Sequence, residues 1–159
     1  MVAHAVTLRL ARADDVQALA AMSRDLIEAG LGWRYSPQRM HRLMADRDTV
    51  VLVACDTAAV QGFAVMQFGD QRAHLVLLCV QPGLRRAGVG RRLLHWLLQS
   101  ADVAGIESVH LELRADNDAA LAFYRRMAFT ETGQVPGYYG GQIAARRMVR
   151  RLRQAASSP

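Results

Sequence analysis

The densest chemistry in this chain lies in Leu75-Val-Leu-Leu-Cys-Val-Gln-Pro-Gly-Leu-Arg-Arg-Ala-Gly-Val-Gly-Arg91. Its apolar first half predicts a buried strand, Pro82-Gly83 a turn, and the residues from Gly88 onward an amphipathic helix. Between strand and helix stand Arg85, Arg86, Gly88 and Gly90. A helix N-terminus presents unpaired N–H groups and a partial positive charge, so it binds anions such as phosphate. Glycines there let the backbone approach the anion, and the arginines add charge. The spacing is not that of a dinucleotide-binding Rossmann loop, because the third glycine is missing and no acidic residue follows ~20 residues later at a strand end. Arg-x-x-Gly-x-Gly arises by chance in about one chain in ten of this composition, so its place between a strand and a helix is what makes it informative. A glycine-rich connection that binds nothing is the plain alternative.

A second stretch, Leu111-Glu-Leu-Arg-Ala-Asp-Asn-Asp-Ala-Ala-Leu-Ala-Phe-Tyr-Arg-Arg-Met-Ala-Phe129, reads as a strand, a turn and a helix. Taken alone, Asn117 is a helix cap and Tyr124 a core tyrosine on an apolar helix face. Taken together, the two stretches resemble the GCN-five-related N-acetyltransferases. The first matches that family's Arg/Gln-x-x-Gly-x-Gly/Ala pyrophosphate motif. The second matches its strand–Asn–helix–Tyr signature, with Asn117 and Tyr124 seven residues apart. The resemblance runs from about Thr7 to Leu152. One departure stands out: the usual Gly-Phe after the tyrosine is Ala128-Phe129, which touches a helix-end turn.

The resemblance implies acetyl-CoA as co-substrate, no metal, and a GNAT-type fold. It implies that the backbone of Leu78, Cys79 and Val80 binds the pantetheine arm and thioester. Arg85, Arg86, Ala87, Gly88, Val89, Gly90 and Arg91 would wrap the pyrophosphate. Asn117 would hold the pantetheine side of the cofactor, and Tyr124 would protonate the departing thiolate. A phenol suits that task, because its ordinary pKa of ~10 resembles an alkyl thiol's. An ammonium ion cannot attack a thioester, so a base is also needed. Glu112, five residues before Asn117, stands where members resembling the ribosomal-protein-alanine acetyltransferases carry a glutamate. A carboxylate at the end of a buried strand could have a raised pKa. A structural salt bridge is the other reading of Glu112, and His74 is the other candidate base. His95 and His110 read as surface or packing residues.

Acceptor recognition is expected from two aromatic loops, Gly30 to Pro37 with Trp33 and Tyr35, and Val135 to Gly141 with Tyr138 and Tyr139. The Gly-Tyr-Tyr-Gly-Gly segment also resembles the Tyr-Tyr hairpin of peptide N-terminal acetyltransferases. The acceptor would be a primary amine, either a peptide N-terminus or a small molecule. Aromatics that merely pack the hairpin are the alternative.

These groups need a scaffold, and the chain alternates elements in the order βααβββαβαββ. Val6 to Ala11 reads as a strand. Asp14, with Gln17 three residues on, caps a helix whose face is Val16, Leu19, Ala20, Ser23, Leu26 and Ile27 and which stops at Gly30. Ser36-Pro37 starts a second helix with Met40, Leu43 and Met44 inward. Thr49 to Cys55, Val60 to Phe68 and Ala73 to Val80 are nearly all apolar, which predicts strands covered on both faces. Gly88 to Ala101 presents Val89, Leu93, Leu94, Leu97, Leu98 and Ala101 inward and Arg91, His95 and Asp102 outward. Ser108 to Arg114 is a strand, Asn117 to Ala128 a helix, and a hairpin closes the chain. The expected class is α/β (α+β), three layers, with a central mixed sheet of six to seven strands and helices on both faces.

Composition narrows the function. The chain has 159 residues, 52% apolar and 21% charged, which suits a single domain over 1–159 with a core of about 6–152. All twenty basic residues are arginine. Walker A loops, kinases and Schiff-base enzymes need a lysine, so those classes are excluded. Cysteine and histidine never cluster at zinc-ligand spacing. Cys55 and Cys79 sit in apolar runs and read as free core thiols. No run approaches the ~18 apolar residues of a membrane span, and the expected address is the cytoplasm. The net charge of +6 asks for an anionic partner. Arg146, Arg147, Arg150 and Arg151 would form one basic face if helical, which gives the rival reading of a nucleic-acid-binding module. The resemblance instead makes this segment the last strand. A non-catalytic acyl-CoA-binding protein is the third reading, and monomer and homodimer both stay open.

Overall fold

The computed structural model describes residues 5–85 and 87–153. Arg86 of the glycine-rich loop lies outside the described residues, as do 1–4 and 154–159. The elements are β1 (Thr7–Leu10), α1 (Val16–Met22), α2 (Pro37–Ala45), β2 (Thr49–Cys55), β3 (Val60–Phe68), β4 (Arg72–Val80), α3 (Val89–Val103), β5 (Ser108–Arg114), α4 (Asp118–Arg126), β6 (Thr130–Tyr139) and β7 (Ile143–Arg151). Their order is the expected βααβββαβαββ. The strands form one mixed seven-stranded sheet, β1-β2-β3-β4-β5-β7-β6. The chain folds as two compact units, 1–67 with 77–97 and 68–76 with 98–159.

In the first unit β1, β2 and β3 pair antiparallel, with a register shift where Ala54 gives way to Cys55. Leu52, Val53, Ala54 and the run Phe63 to Met66 are buried, as uninterrupted apolar strands require. The expectation fails for β4, whose residues alternate. Ala73, Leu75, Leu77 and Cys79 are buried, but His74, Val76, Leu78 and Val80 are only half-buried. Gly62 in β3 explains a close approach: a Cβ there would stand 2.9 Å from the Cys79 carbonyl oxygen and 3.3 Å from Val80 Cγ2.

The helix after β1 differs from expectation at both ends. It starts on Arg12 and Asp15 rather than on Asp14 and Gln17. The Asp15 carboxylate accepts the Arg12 N–H at 2.7 Å and both Arg9 guanidinium nitrogens at 2.7 and 3.0 Å. Asp15 wins because it is the carboxylate that faces Arg9. At the far end the α-helix stops at Met22, and 23–27 form a widened π-type turn closed by the Glu28 N–H on the Ser23 carbonyl at 2.8 Å. The second helix behaves as read: Ser36 Oγ accepts the Arg39 N–H at 3.4 Å, and Met40 is fully buried. Val89, Leu93, Leu94 and Leu97 of α3 are buried, while Arg91 and His95 are exposed.

In the second unit β4 runs parallel to β5 over three pairs only, Arg72 with Ser108, Ala73 with Val109 and His74 with His110. On its other side β5 pairs antiparallel with β7 along its whole length. β6 and β7 form the closing hairpin. Asn117 caps α4, its Oδ1 accepting the Ala120 N–H at 3.0 Å. Ala128, which replaces the family's glycine, ends that helix in the left-handed region at φ +66°. Because 143–151 is a strand, its arginines split between two faces and cannot form the single basic stripe that a helix would give. Arg146 binds Glu131 at 3.0 Å and the Ala115 carbonyl at 3.2 Å, and Arg150 binds the Met127 carbonyl at 3.0 Å. Among the described residues no helix is long and apolar enough to cross a membrane.

Candidate active site

The glycine-rich loop after β4 belongs to the first unit. After β4 the chain makes one tight turn over 82–84 and reaches Gly88, which is left-handed at φ +79°. Nothing lies within 4 Å of where its Cβ would be, so conformation rather than crowding requires glycine here. At the start of α3 the Arg92 N–H donates to the Gly88 carbonyl at 3.0 Å. The amides of Val89, Gly90 and Arg91 precede it in the first turn of α3. Exposed Arg85 folds back, Nε donating to the Val80 carbonyl at 3.4 Å. Arg92, which the sequence reading passed over, donates to the Val6 carbonyl at 2.7 Å. Leu78 and Val80 present half-buried apolar surface. Between them Cys79 is buried with its thiol toward the Met22 carbonyl at 3.9 Å. Burial pushes that thiol up to about 12, against a small opposing effect of Arg85.

The second unit holds the ionisable groups. His74 and Glu112, weighed as alternatives from sequence, are partners: Nε2 and Oε2 are 2.5 Å apart. Arg147 stands 3.9 Å from the other carboxylate oxygen. The expectation of a raised Glu112 pKa is overturned. The His74 hydrogen bond holds the carboxyl below its ordinary value, helped by the charges of His74, Arg147 and His110 and opposed by burial. His110, expected to be surface or packing, is half-buried and bonded to Ser108 at 2.8 Å. Burial, followed by the positive charge of Arg72, pushes its imidazole below the usual range. These side chains line a pocket of about 340 Å³ formed by Arg72, Ala73, His74, His110, Glu112 and Arg147.

Tyr124 is buried on α4 with its ring edge-on to Phe123 and Phe129, centroids 5.2 and 5.7 Å away. Its hydroxyl has no hydrogen-bond partner among the described residues, yet the oxygen is not sealed from solvent. Burial, with a smaller push from Tyr139, raises the phenol above its ordinary value, so it keeps its proton at neutral pH. Asn117 is exposed and spends its carbonyl oxygen on the helix cap.

The aromatic loop of the first unit is more built than its sequence suggests. Trp33 Nε1 donates to the Ala20 carbonyl at 3.2 Å, with the Arg24 guanidinium 5.3 Å from its ring. Arg39 stacks 4.5 Å over Tyr35. Beneath lies Glu28, only 6% exposed, which sequence reasoning missed. Its carboxylate accepts from Ser23 Oγ at 3.0 Å, the Arg34 N–H at 2.6 Å and the Tyr35 N–H at 3.3 Å. Nothing in its residue type announces burial. In the second unit Tyr138 and Tyr139 stack edge-on at 4.9 Å, with Gly140 and Gly141 left-handed at the hairpin tip. Among the described residues no three His, Cys, Asp or Glu side chains gather as metal ligands.

The first unit thus holds a glycine-rich turn into a helix start, and the second a hydrogen-bonded His–Glu pair and a buried phenol on a strand–Asn–helix. The sequence model of the acetyltransferase (GNAT) family matches residues 19–129, and the chain belongs to that family. Among its relatives, the ribosomal protein bS18-alanine N-acetyltransferase of Salmonella typhimurium is 36% identical over 77 residues, 48% of this chain and 52% of that one. The N-alpha-acetyltransferase RimI of Mycobacterium tuberculosis is 48% identical over 60 residues, 38% of this chain and 36% of its own. The match thus spans between about a third and a half of these relatives. The solved structure of Ard1 from Thermoplasma volcanium superposes with a TM-score of 0.84 at 26% identity, covering 94% of this chain and 99% of its own. The fold and family implied by the two motifs are therefore the ones found.

Proposed function

We propose that this chain transfers the acetyl group of acetyl-CoA to the α-amine of a peptide N-terminus, by direct attack in a ternary complex. The carrying observation is the His74–Glu112 pair on the same strand–helix unit as Tyr124, whose hydroxyl has no partner among the described residues. The two relatives above, named for N-terminal acetylation, support the choice of a peptide acceptor. The first-turn amides of Val89, Gly90 and Arg91, with Arg85, Arg86 and Ala87 of the same sequence motif, would hold the pyrophosphate. The backbone of Leu78 to Val80 and the Asn117 NH₂ would hold the pantetheine. Trp33, Tyr35, Tyr138 and Tyr139 would wall the acceptor.

A carboxylate held low is a poor base on its own. Facing it, His74 Nε2 carries the hydrogen, an assignment that follows from the ionised partner, and this leaves Nδ1 free to accept. The pair therefore works together. His74 takes the amine's proton, directly or through a water, and Glu112 stabilises the resulting imidazolium. The neutral amine attacks the thioester carbonyl, the C–S bond breaks, and Tyr124 gives its proton to the thiolate. Cys79 is unsuited to an acyl-enzyme route, because its buried thiol stays protonated. The free cysteines suit a cytoplasmic enzyme.

Calorimetry with CoA, followed by thiol release with peptide and small-molecule amines and mass detection of the product, tests this reading. Acetylated peptide N-termini are the expected result. Absence of CoA binding overturns the whole reading. CoA binding with no product leaves a binding protein, and product from small amines alone overturns the peptide acceptor.

A further inference from the structure

The open face of the sheet in the second unit carries more positive charge than the proposed chemistry uses. Strand register stacks Arg72 beside Ser108 and Arg151, His74 beside His110, and Glu112 beside Arg147. Directly paired residues point to the same face, so these side chains form one ladder across three strands. Glu112 is the one carboxylate lining the pocket there, and it is engaged by His74. Among the described residues Arg72 and Arg151 have no carboxylate partner. Arg147 has its side chain 56% exposed and meets Glu112 only at the edge of ion-pairing distance. Four residues separate the level of Glu112 from that of Arg72 and Arg151, about 13 Å at strand spacing. An extended peptide covers that length with its first few residues.

We infer that this arginine ladder selects acceptors whose second to fourth residues are acidic, Arg147, Arg72 and Arg151 pairing with their carboxylates while the amine lies at His74–Glu112. The inference rests on the peptide-acceptor reading above and names its substrate class. A basic peptide would set its cations against three arginines, so the same ladder rejects it. Each exposed charge pair is worth roughly two- to five-fold in affinity, so two or three together give about ten-fold, fading as salt screens them.

The test compares three labelled peptides with a common first residue and Asp, Asn or Lys at positions two to four. Anisotropy reads binding to the full chain and to R72Q/R151Q, at low and high salt. The Asp peptide is expected to bind about ten-fold tighter than the Asn peptide and more tightly still than the Lys peptide. In the double variant that ratio should fall below about three. Equal affinities, a preference for Lys, or an unchanged ratio in the variant overturns the inference. So does a single-stranded RNA oligonucleotide that binds more tightly than the Asp peptide, since the ladder would then serve phosphates. Thiol release with the same peptides keeps the two readings apart. Selective binding without CoA release sinks the transfer reading alone, and release without selectivity sinks only this one.

Discussion

Replacing Ala128 by glycine should stabilise the protein. Ala128 ends α4 at φ +66°, where an L side chain crowds its own backbone at a cost of about 1–2 kcal/mol. Glycine removes that strain but frees the unfolded chain, which returns about 0.4–1 kcal/mol. Ala128 is exposed, so losing its methyl group sacrifices no core packing. The bonds that close the turn are backbone ones, from the Ala128 N–H to Arg125 at 3.0 Å and from the Phe129 N–H to Tyr124 at 2.9 Å, and they survive the change. The net gain is about 0.5–1 kcal/mol, which raises Tm by about 1–4 °C in a chain of this length. Calorimetry and urea unfolding measure it, with an unchanged urea slope showing that the denatured state is comparable. Ala128→Val supplies the opposite control, because a β-branched residue tolerates this conformation worst. A lower Tm for the glycine variant, or a valine variant as stable as wild type, would refute the strain argument.

Other substitutions probe the site. Tyr124→Phe keeps the buried ring and its edge-on contacts, so CoA affinity should hold in calorimetry while turnover drops about 100-fold. Gly62→Ala should push its methyl group into the Cys79 carbonyl and displace the end of β4; CoA affinity should fall by ten-fold or more, read by the same titration. Glu28→Gln presents an NH₂ where one oxygen accepted, breaking at least one of the bonds to Ser23, Arg34 and Tyr35. Amide exchange at Arg34 and Tyr35 should accelerate about ten- to hundred-fold, with β2 and β3 amides unchanged. The Asp15 and Glu112 carboxyls are both held low in the folded chain, chiefly by their hydrogen bonds to Arg9 and His74. Their stabilisation is therefore present above the ordinary carboxylate pKa of ~4 and lost as pH falls from there through the lowered folded-state values, so Asp15→Asn should start less stable than wild type at neutral pH and lose less of its unfolding free energy between neutral and acid pH, read by urea unfolding at several pH values.

Periodicity was enough to read the order of the elements, because apolar runs and amphipathic helices are local signals. The α3 face was recovered residue by residue for the same reason. What escaped was set by side-chain partners lying outside the element being read. Asp15 displaced Asp14 as the cap because Arg9 lies on β1 facing it. The π-type turn at 23–27 follows from a buried Glu28 whose partners, Arg34 and Tyr35, lie on the loop beyond Gly30. The site showed the same limit. Two motifs singled out Gly88, Asn117 and Tyr124, but His74 and Glu112 lie 38 positions apart, and only the parallel pairing of β4 with β5 makes them one unit. That pairing also reversed the expected pKa shift, since burial alone would have raised Glu112 and the imidazole outweighs it.

The β7 arginines that bind the Ala115 and Met127 carbonyls and Glu131 are part of a chain with no lysine at all. Arginine holds those positions with a planar fork, but its guanidinium is also never a neutral nucleophile near physiological pH. An enzyme that activates a thioester exposes its own surface to acylation, and the usual casualties are ε-amino groups. This chain offers none. In the transfer proposed above, its arginine ladder, its helix-end bonds and its glycine-rich loop would sit beside a reactive acetyl donor through every turnover without being neutralised. Amine-directed reagents would likewise leave the whole basic surface unmarked.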